Sequence, residues 1–191
     1  MTNGTLGAIL TGGRSSRMGR DKADVGVGGS TMLQRVGRAL SPVVTRIVLL
    51  GPDRDGWESW PDAVHATGPL AGIATVLARA TANRVLVVAV DQPFVRTETL
   101  ENLILIESPL PVVPVDDTGS RQVTCAVYPT SIADEAIEEA AGDGSIQTLL
   151  DRVSFRPVPP EEWLSWGEDG RSWFSADTED GLAEGLRRFG D

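Results

Sequence analysis

Short apolar runs alternate with amphipathic stretches through the first half of the chain. Residues 7–10, 46–50 and 85–90 form the runs, and glycine or aspartate follows each of them within two positions. Helical periodicity, with apolar residues three and four positions apart, occupies the intervals. The predicted helices span residues 31–40, 68–80 and 97–106. Apolar strands separated by helices indicate an α/β fold, with a mainly parallel twisted sheet and helices on both faces.

The pattern changes beyond residue 110. Residues 111–115 and 122–128 flank a polar turn and predict a small antiparallel excursion. The other predicted elements are a weak strand near 63–66, helices at 131–141, 145–150 and 179–189, a strand at 155–158 and a loop over 159–172. No internal repeat or linker divides the chain. Residues 1–191 are therefore expected to form a single domain, an ordinary size for one.

The charge balance is acidic, with a formal net charge of −10 over 191 residues. A basic excess that could neutralise a nucleic-acid backbone is lacking, so we expect no nucleic-acid partner. No apolar run reaches the roughly 18 residues that favour a membrane span, and the first residues lack the features of a signal peptide. The one cysteine, Cys125, has no partner for an internal disulfide. These features favour a cytoplasmic protein without a membrane partner.

Residue types that occur only once limit the kinds of catalytic and metal site that the chain can form. The chain has one histidine, His65, and one cysteine, which excludes a zinc site of the usual Cys/His kind. The only lysine, Lys22, belongs to a cluster of basic residues. The cluster consists of Arg14, Arg17, Arg20 and Lys22. We expect this cluster to bind a small polyanion, and carboxylates, arginines, backbone amides and a hard metal ion to carry the reaction.

The basic cluster lies in a glycine-containing loop after the first predicted strand. Gly12 and Gly13 allow a sharp turn and let backbone amides approach phosphate oxygens. Arg17 can bind a phosphate through two parallel hydrogen bonds, and Lys22 adds a compact point charge. The spacing is neither that of a Walker A loop nor that of a dinucleotide-binding fingerprint. A solvated basic turn is the alternative, but ligands of open α/β sheets bind where this loop leaves its strand.

Three ordered segments in the first half carry a recognisable pattern. Residues 10–22 read Leu-Thr-Gly-Gly-Arg-Ser-Ser-Arg-Met-Gly-Arg-Asp-Lys, residues 68–73 read Gly-Pro-Leu-Ala-Gly-Ile, and residues 91–94 read Asp-Gln-Pro-Phe. Together they resemble the motifs of the molybdenum cofactor guanylyltransferases, with Thr11 in place of the usual alanine. The resemblance implies a Rossmann-like nucleotidyltransferase domain.

The resemblance also implies roles for individual residues. The nucleotide-binding candidates are Leu10, Thr11, Gly12, Gly13, Lys22, Asp62, Gly68 and Asp91. Lys22, Arg17 and Asp91 are the catalytic candidates. Asp62 is the nearest match to an aspartate that the family carries before the Gly-Pro motif, and His65, which stands closer to that motif, is interpreted as structural.

Asp91 directly follows the most apolar run of the chain. At a strand end it can face the ligand crevice, and Mg²⁺ needs only one or two carboxylates when phosphates and water supply its other ligands. The alternative is a turn or capping aspartate before the helix at 97–106. The resemblance favours Mg²⁺ as the cofactor, with Asp91 as its ligand.

The acceptor side matches the family less well. Related enzymes carry an Asn-x-Asn-Thr-Pro-Glu motif before the last helix, whereas residues 174–180 here contain neither asparagine nor proline. The acceptor-binding candidates are Ser175 and Asp177 from this segment and Arg121 and Gln122 from the predicted hairpin. Two tryptophan pairs, Trp57/Trp60 and Trp163/Trp166, could stack on a pterin, but packing is the favoured interpretation.

The reaction that the resemblance implies is transfer of GMP from GTP to the terminal phosphate of molybdopterin, with Mg²⁺ and release of pyrophosphate. A phosphate monoester has a second pKa of about 6, so the acceptor needs no general base. Three alternatives stay open: a cytidylyltransferase of the same cofactor, a guanylyltransferase for another phosphorylated small molecule, and an inactive nucleotide-binding protein. The expected partners are GTP and molybdopterin, with transient contacts to molybdoenzymes or other cofactor-biosynthesis proteins.

Overall fold

Strands and helices alternate along the chain, as the hydrophobic pattern predicts. A computed structural model describes residues 4–12, 21–61 and 68–190. The strands are β1 (Leu6–Leu10), β2 (Gly26–Val27), β3 (Ser30–Thr31), β4 (Arg46–Leu50), β5 (Ser59–Trp60), β6 (Arg84–Ala89), β7 (Val112–Pro114), β8 (Cys125–Pro129) and β9 (Arg156–Val158). The helices are α1 (Met32–Leu40), α2 (Pro69–Arg79), α3 (Thr97–Leu105), α4 (Ala133–Ala141), α5 (Ile146–Val153), α6 (Pro160–Leu164) and α7 (Glu179–Phe189). No helix within these ranges is long and apolar enough to cross a lipid bilayer.

Seven of the strands form one sheet, in the order β5-β4-β1-β6-β8-β7-β9. β8 runs antiparallel to both of its neighbours, and the other pairings within this sheet are parallel. β2 and β3 form a separate antiparallel pair. The chain passes from β1 to β4 on one side and later returns to β6 on the other. Open α/β sheets bind their ligands at the carboxyl edge of such a reversal in strand order.

The sheet carries a hydrophobic core on each face. Successive side chains of a strand point to opposite faces, so Ile9 of β1 enters one core while Ala8 and Leu10 enter the other. Residues of α1, α3 and α7 complete the first core, and residues of α2, α4 and α5 complete the second. The predicted α/β class, with helices on both faces of a mainly parallel sheet, is confirmed.

Local signals account for where two helices begin. α1 starts after Thr31, whose hydroxyl accepts a hydrogen bond from the Gln34 amide while the Gln34 side chain accepts from the Thr31 amide. This capping box uses two amides that have no partner within the helix. α2 starts at Pro69, directly after Gly68 with a φ of +102°. Proline suits a first helical position because the amide that it lacks would have no acceptor there.

The structure differs from the sequence-based expectations in the second half. The expected loop over 159–172 contains α6 and the start of a short 3-10 turn, Arg171–Trp173. Pro160 and the two following glutamates account for α6, because proline and acidic side chains both favour the first turn of a helix. The antiparallel excursion at 111–128 is confirmed, but β7 and β8 extend the main sheet. The weak strand expected near 63–66 lies outside the described residues.

Candidate active site at the carboxyl ends of β1 and β6

β1 and β6 lie side by side and end at the same level. Leu10 pairs with Ala89 in their parallel register, and the Val90 amide donates a 3.0 Å hydrogen bond to the Leu10 carbonyl oxygen. The loop after β1 and the aspartate after β6 therefore leave the sheet next to each other. This arrangement brings the first and third sequence motifs to one place.

The first residues of the loop after β1 contact the end of β4. The amides of Thr11 and Gly12 both donate to the Leu50 carbonyl oxygen, at 3.0 and 3.1 Å. Gly51 follows with a φ of +144°, and a Cβ there would lie 2.6 Å from Thr11 Oγ1 and 2.8 Å from Gly12 N. Glycine is required for so close an approach. The sequence had suggested that the Gly12 amide faces a phosphate. In the structure this amide is hydrogen-bonded to Leu50 instead, so it holds the loop in place.

Lys22 returns to the sheet edge in a short 3-10 turn, Lys22–Asp24. Asp21 caps this turn, since its Oδ1 accepts a 3.0 Å hydrogen bond from the Ala23 amide. The Arg54 guanidinium binds Asp24 at 2.8 Å and also binds Asp21. These ion pairs anchor the turn and set the Lys22 side chain opposite the end of β6.

The Lys22 ammonium lies between two carboxylates. Its Nζ is 3.0 Å from Asp91 Oδ2 and also donates to Asp177 Oδ1. Asp177 comes from the segment before α7, where the Ala176 amide donates a 2.7 Å hydrogen bond to the Asp91 carbonyl oxygen. The side chains of Lys22 and Asp91 are 20% and 21% exposed, and that of Asp177 is 44% exposed. The three charges thus meet in a partly desolvated place that stays open to solvent.

Burial and charge act in opposite directions on these three groups. Burial raises the pKa of the Asp91 carboxyl, although the adjacent Lys22 ammonium opposes this shift. The hydrogen bond from Lys22 lowers the pKa of Asp177 against a smaller effect of desolvation. Burial disfavours the charged form of Lys22, but the combined effect of the two carboxylates outweighs it and raises the lysine pKa. Lys22 is therefore a cation at neutral pH.

Asp91 does not cap the helix that follows it. Arg96 occupies the N-cap position of α3, and no side chain accepts a hydrogen bond there. The carboxylate of Asp91 instead accepts a 3.0 Å hydrogen bond from the Lys22 ammonium. The capping alternative for Asp91 is thereby excluded.

The carboxylate oxygens of Asp91 and Asp177 suit a hard divalent cation whose other ligands come from a substrate. Across the described ranges, no group of three or more His, Cys, Asp or Glu residues could hold a metal ion. The pair Asp91 and Asp177 nevertheless already surrounds a cationic group, the Lys22 ammonium. Mg²⁺ prefers oxygen ligands and combines one or two carboxylates with phosphate oxygens and water. The residues present therefore fit Mg²⁺, with Asp91 as the protein ligand expected from the sequence.

A cavity of about 280 Å³ opens beside Lys22 and Asp91. Five predicted nucleotide-binding residues line it, namely Leu10, Thr11, Gly12, Lys22 and Asp91. Gln122 and Ser175, predicted on the acceptor side, line it as well. A second cavity of about 310 Å³ shares Gln122, Trp173 and Ser175 with the first. Both approach or reach the size of ordinary small-molecule sites, so two substrate groups can lie side by side.

Other predicted site residues lie apart from this cavity. Gly68 is not among its lining residues, although the adjacent Pro69 is. The Arg121 guanidinium binds Asp151 at 2.7 Å and lies 4.8 Å from the centre of the Phe155 ring. The roles of Gly68 and Arg121 stay predictions. Gly13, Arg17, Asp62 and His65 lie outside the described residues.

Gln92 is a cavity residue that the sequence did not single out. Its side chain is buried: Oε1 accepts from the Ala89 amide at 3.2 Å, and Nε2 donates to Thr124 Oγ1 at 3.3 Å. Gln92 therefore joins the end of β6 to the residue before β8. Its place beside Asp91 in the third motif was the signal that could have identified it.

Trp173 is the second cavity residue that sequence reasoning missed. It packs edge-on against Trp163, with ring centroids 5.2 Å apart. The segment before it is ordered by Glu168, which is 2% exposed and accepts hydrogen bonds from two hydroxyl groups and three backbone amides. Among the four tryptophans considered for pterin stacking, Trp60 and Trp163 are buried in the cores and Trp57 and Trp166 pack against the first core, but Trp163 also lines the second cavity. The packing interpretation is confirmed for the pair Trp57 and Trp60, and for the pair Trp163 and Trp166 it stays a prediction.

A family model described as MobA-like NTP transferase domain matches residues 7–158. This range covers β1, Lys22 and Asp91. The chain belongs to this family.

Two relatives support the assignment to the MobA-like family. The probable molybdenum cofactor guanylyltransferase of Pelotomaculum thermopropionicum is 39% identical over 97 residues, which are 48% of this chain and 47% of that protein. The molybdenum cofactor guanylyltransferase of Rhizobium meliloti is 37% identical over 140 residues, which are 66% of this chain and 64% of that protein. The chain thus spans about half of the first relative and under two thirds of the second.

A solved structure extends the likeness beyond the family model. Molybdopterin-guanine dinucleotide biosynthesis protein A from Archaeoglobus fulgidus has a TM-score of 0.84 and 26% identity to this chain. The match covers 96% of this chain and 98% of that one. The C-terminal part, which carries Asp177 in this MobA-like protein, is therefore largely included in the shared fold.

Proposed function

We propose that this member of the MobA-like family transfers GMP from GTP to the terminal phosphate of molybdopterin, with Mg²⁺ as cofactor and pyrophosphate as the second product. The observation that carries the proposal is the 3.0 Å contact between Lys22 Nζ and Asp91 Oδ2 beside a cavity. It unites two motifs that are far apart in the sequence at the edge where α/β sheets bind ligands. GMP and molybdopterin are proposed as the transferred group and the acceptor because the relatives are molybdenum cofactor guanylyltransferases. A reducing cytoplasm suits the buried free Cys125.

In the proposed reaction, an oxygen of the acceptor phosphate attacks the α-phosphorus of GTP. A new P–O bond forms, the bond from the α-phosphorus to the bridging oxygen breaks, and the electron pair leaves with pyrophosphate. The attacking monoester is largely dianionic near neutral pH because its second pKa is about 6. No side chain has to remove a proton, so positioning and charge neutralisation are what the protein supplies.

Among the residues that the structure describes, Lys22 is the cationic side chain placed to neutralise this charge. Its ammonium reaches the cavity that Leu10, Thr11 and Gly12 border, and its raised pKa keeps it protonated. A fixed positive charge of this kind stabilises the charge that develops on phosphate oxygens in the transition state. Held at Asp91, a Mg²⁺ ion would draw charge from the α-phosphorus and from the leaving oxygen.

The acceptor side of the proposal rests on residues shared between the two cavities. Gln122 and Ser175 line both of them, so a group that bridges the cavities would pass these side chains. The Gln122 amide is held in place by a 2.8 Å hydrogen bond from its Nε2 to Asp116 Oδ2. A fixed amide can orient an acceptor phosphate at lower entropic cost than a mobile one.

The proposal is tested by measuring pyrophosphate release with GTP, Mg²⁺ and molybdopterin, and with each component left out in turn. Release that needs all three, with a guanylylated product identified by mass spectrometry, supports it. Product with CTP in place of GTP, or with another phosphorylated acceptor in place of molybdopterin, would assign a different transfer. Absence of release with every donor and acceptor, while GTP still binds, would identify a nucleotide-binding protein without this activity.

A further inference from the structure

Two carboxylates from distant parts of the chain converge on one cation. Asp91 follows β6, and Asp177 precedes α7, yet both contact the Lys22 ammonium. The 2.7 Å bond from the Ala176 amide to the Asp91 carbonyl oxygen holds the two backbones together. This proximity is therefore a property of the main chain and does not depend on side-chain rotation alone.

This arrangement is unfavourable for a polyphosphate if the three side chains act alone. Two carboxylates and one ammonium leave an excess negative charge beside the cavity, and like charges at this range repel each other more strongly where water is partly excluded. A divalent cation would remove the conflict because it binds carboxylate and phosphate oxygens at the same time. The Lys22 ammonium occupies the position between the carboxylates that such a cation needs.

We propose that Asp177 is a second ligand, beside Asp91, for the divalent cation, and that the Lys22 ammonium stands in for this cation in the free protein. The inference rests on the proposed function, in which Asp91 holds Mg²⁺. It gives Asp177 a role different from the acceptor contact expected from the sequence. Two carboxylates, phosphate oxygens and water complete the ligand set that Mg²⁺ prefers. With the cation held by Asp91 and Asp177, the Lys22 ammonium would be free to contact the phosphates.

A binding measurement without any nucleotide tests the stand-in role of Lys22. Mn²⁺ is added to the full chain, and free Mn²⁺ is followed by electron paramagnetic resonance. Lys22→Met removes the competing charge, so it should tighten Mn²⁺ binding at least about tenfold, as expected for the loss of a like charge at contact distance. Unchanged or weaker Mn²⁺ binding by Lys22→Met would overturn this part of the proposal.

The same titration in the Lys22→Met background tests Asp177 itself. Adding Asp177→Asn or Asp91→Asn should weaken Mn²⁺ binding by at least about tenfold, since even residues outside the ligand shell change metal affinity about 10- to 100-fold. Asp180→Asn, an exposed charge in the first turn of α7, is the matched control and should leave binding unchanged. Asp177→Glu, which keeps the carboxylate, should bind more tightly than Asp177→Asn, and circular dichroism should confirm that each variant is folded.

The outcomes separate this inference from the proposed function. If Asp91→Asn weakens Mn²⁺ binding and folded Asp177→Asn does not, Asp177 is not a ligand, while the metal role of Asp91 stands. If neither substitution affects Mn²⁺ binding, the metal part of the proposed function fails as well. If both weaken it equally and Asp180→Asn does not, the two-carboxylate site is supported.

Discussion

The backbone amide of Ala176 donates a 2.7 Å hydrogen bond to the carbonyl oxygen of Asp91. This bond attaches the segment before α7 to the end of β6, next to the Lys22 ammonium. A backbone hydrogen bond does not require a particular side chain. The C-terminal segment can therefore keep its place at the site even though it lacks the asparagines and the proline of the family motif.

Replacing Lys22 with alanine should reduce turnover by about 10²- to 10³-fold, the usual cost of losing one donor that stabilises transition-state charge. The fold should persist, because the side chain is partly exposed and lies at the sheet edge rather than in a core. Initial rates of pyrophosphate release and a thermal melt measure both effects. Arg187→Ala on the exposed face of α7 is a control for general loss of positive charge. Turnover near that of the unmodified protein would remove Lys22 from the mechanism.

Replacing Gly51 with alanine should destabilise the protein and weaken nucleotide binding together. The new Cβ would meet Thr11 Oγ1 at 2.6 Å and Gly12 N at 2.8 Å, so the loop after β1 must move. Overpacking of this kind costs about 1–3 kcal/mol. Gly56→Ala is the matched control, since Gly56 also has a positive φ, +79°, but no atom lies within 4 Å of a Cβ placed there. Equal loss of GTP affinity in the two variants would contradict the proposed contact.

Replacing Glu168 with alanine should lower the free energy of unfolding by more than about 2 kcal/mol, since each buried donor left without a partner costs about 1–3 kcal/mol. Its Oε1 accepts from the Gly170 amide at 2.8 Å and from the Asp169 amide at 3.0 Å. Glu168→Gln should recover most of the loss, because its carbonyl oxygen still accepts from amides and the facing hydroxyls can reverse. Denaturant unfolding measures the stability, and fluorescence reports on nearby Trp173. Equal stability of the alanine and glutamine variants would show that these donors are not what Glu168 satisfies.

Cys125 should resist thiol reagents in the folded protein. Burial raises the pKa of its thiol, and the thiolate is the reactive form. A raised pKa means that the thiol stays protonated at pH 7–9, and its complete burial also blocks access. Labelling by a disulfide reagent should be slow in native buffer and fast in denaturant. Rapid labelling of native protein, at a rate independent of denaturant, would contradict this assignment.

GTP should be preferred over CTP and ATP by at least about tenfold in kcat/KM, which corresponds to about 1.4 kcal/mol. The loop bordering the cavity contains Gly12 and leads to a second glycine, so backbone carbonyls can approach the base and accept from the guanine N–H groups. Adenine would leave such acceptors unpaired, at about 1–3 kcal/mol each, and cytosine would leave part of a purine-sized space unfilled. Competition between equal GTP and CTP, with products separated by mass, measures the preference. Dominance of cytidylylated product would assign the cytidylyl reaction.

The local pattern of apolar and polar residues was sufficient to predict the main strands and helices of this fold. β1, β4 and β6 were predictable because a central strand covered by helices on both faces must be apolar at nearly every position. The starts of α1 and α2 also depend on local signals, because Thr31 and Pro69 act on residues that are close in sequence. The short helix α6 was missed, because five residues are too few for a periodic pattern.

The sequence by itself determined which residue types are available for the chemistry: one lysine, one histidine, and an aspartate after the most apolar strand. Only the tertiary structure decided that Lys22 lies between Asp91 and Asp177, and that Arg121 binds Asp151 apart from the cavity. The physical reason is that such contacts depend on strand order and on how α7 packs against the sheet. Neither can be deduced from local propensity, because the partners are distant in sequence and are selected by packing of the whole chain.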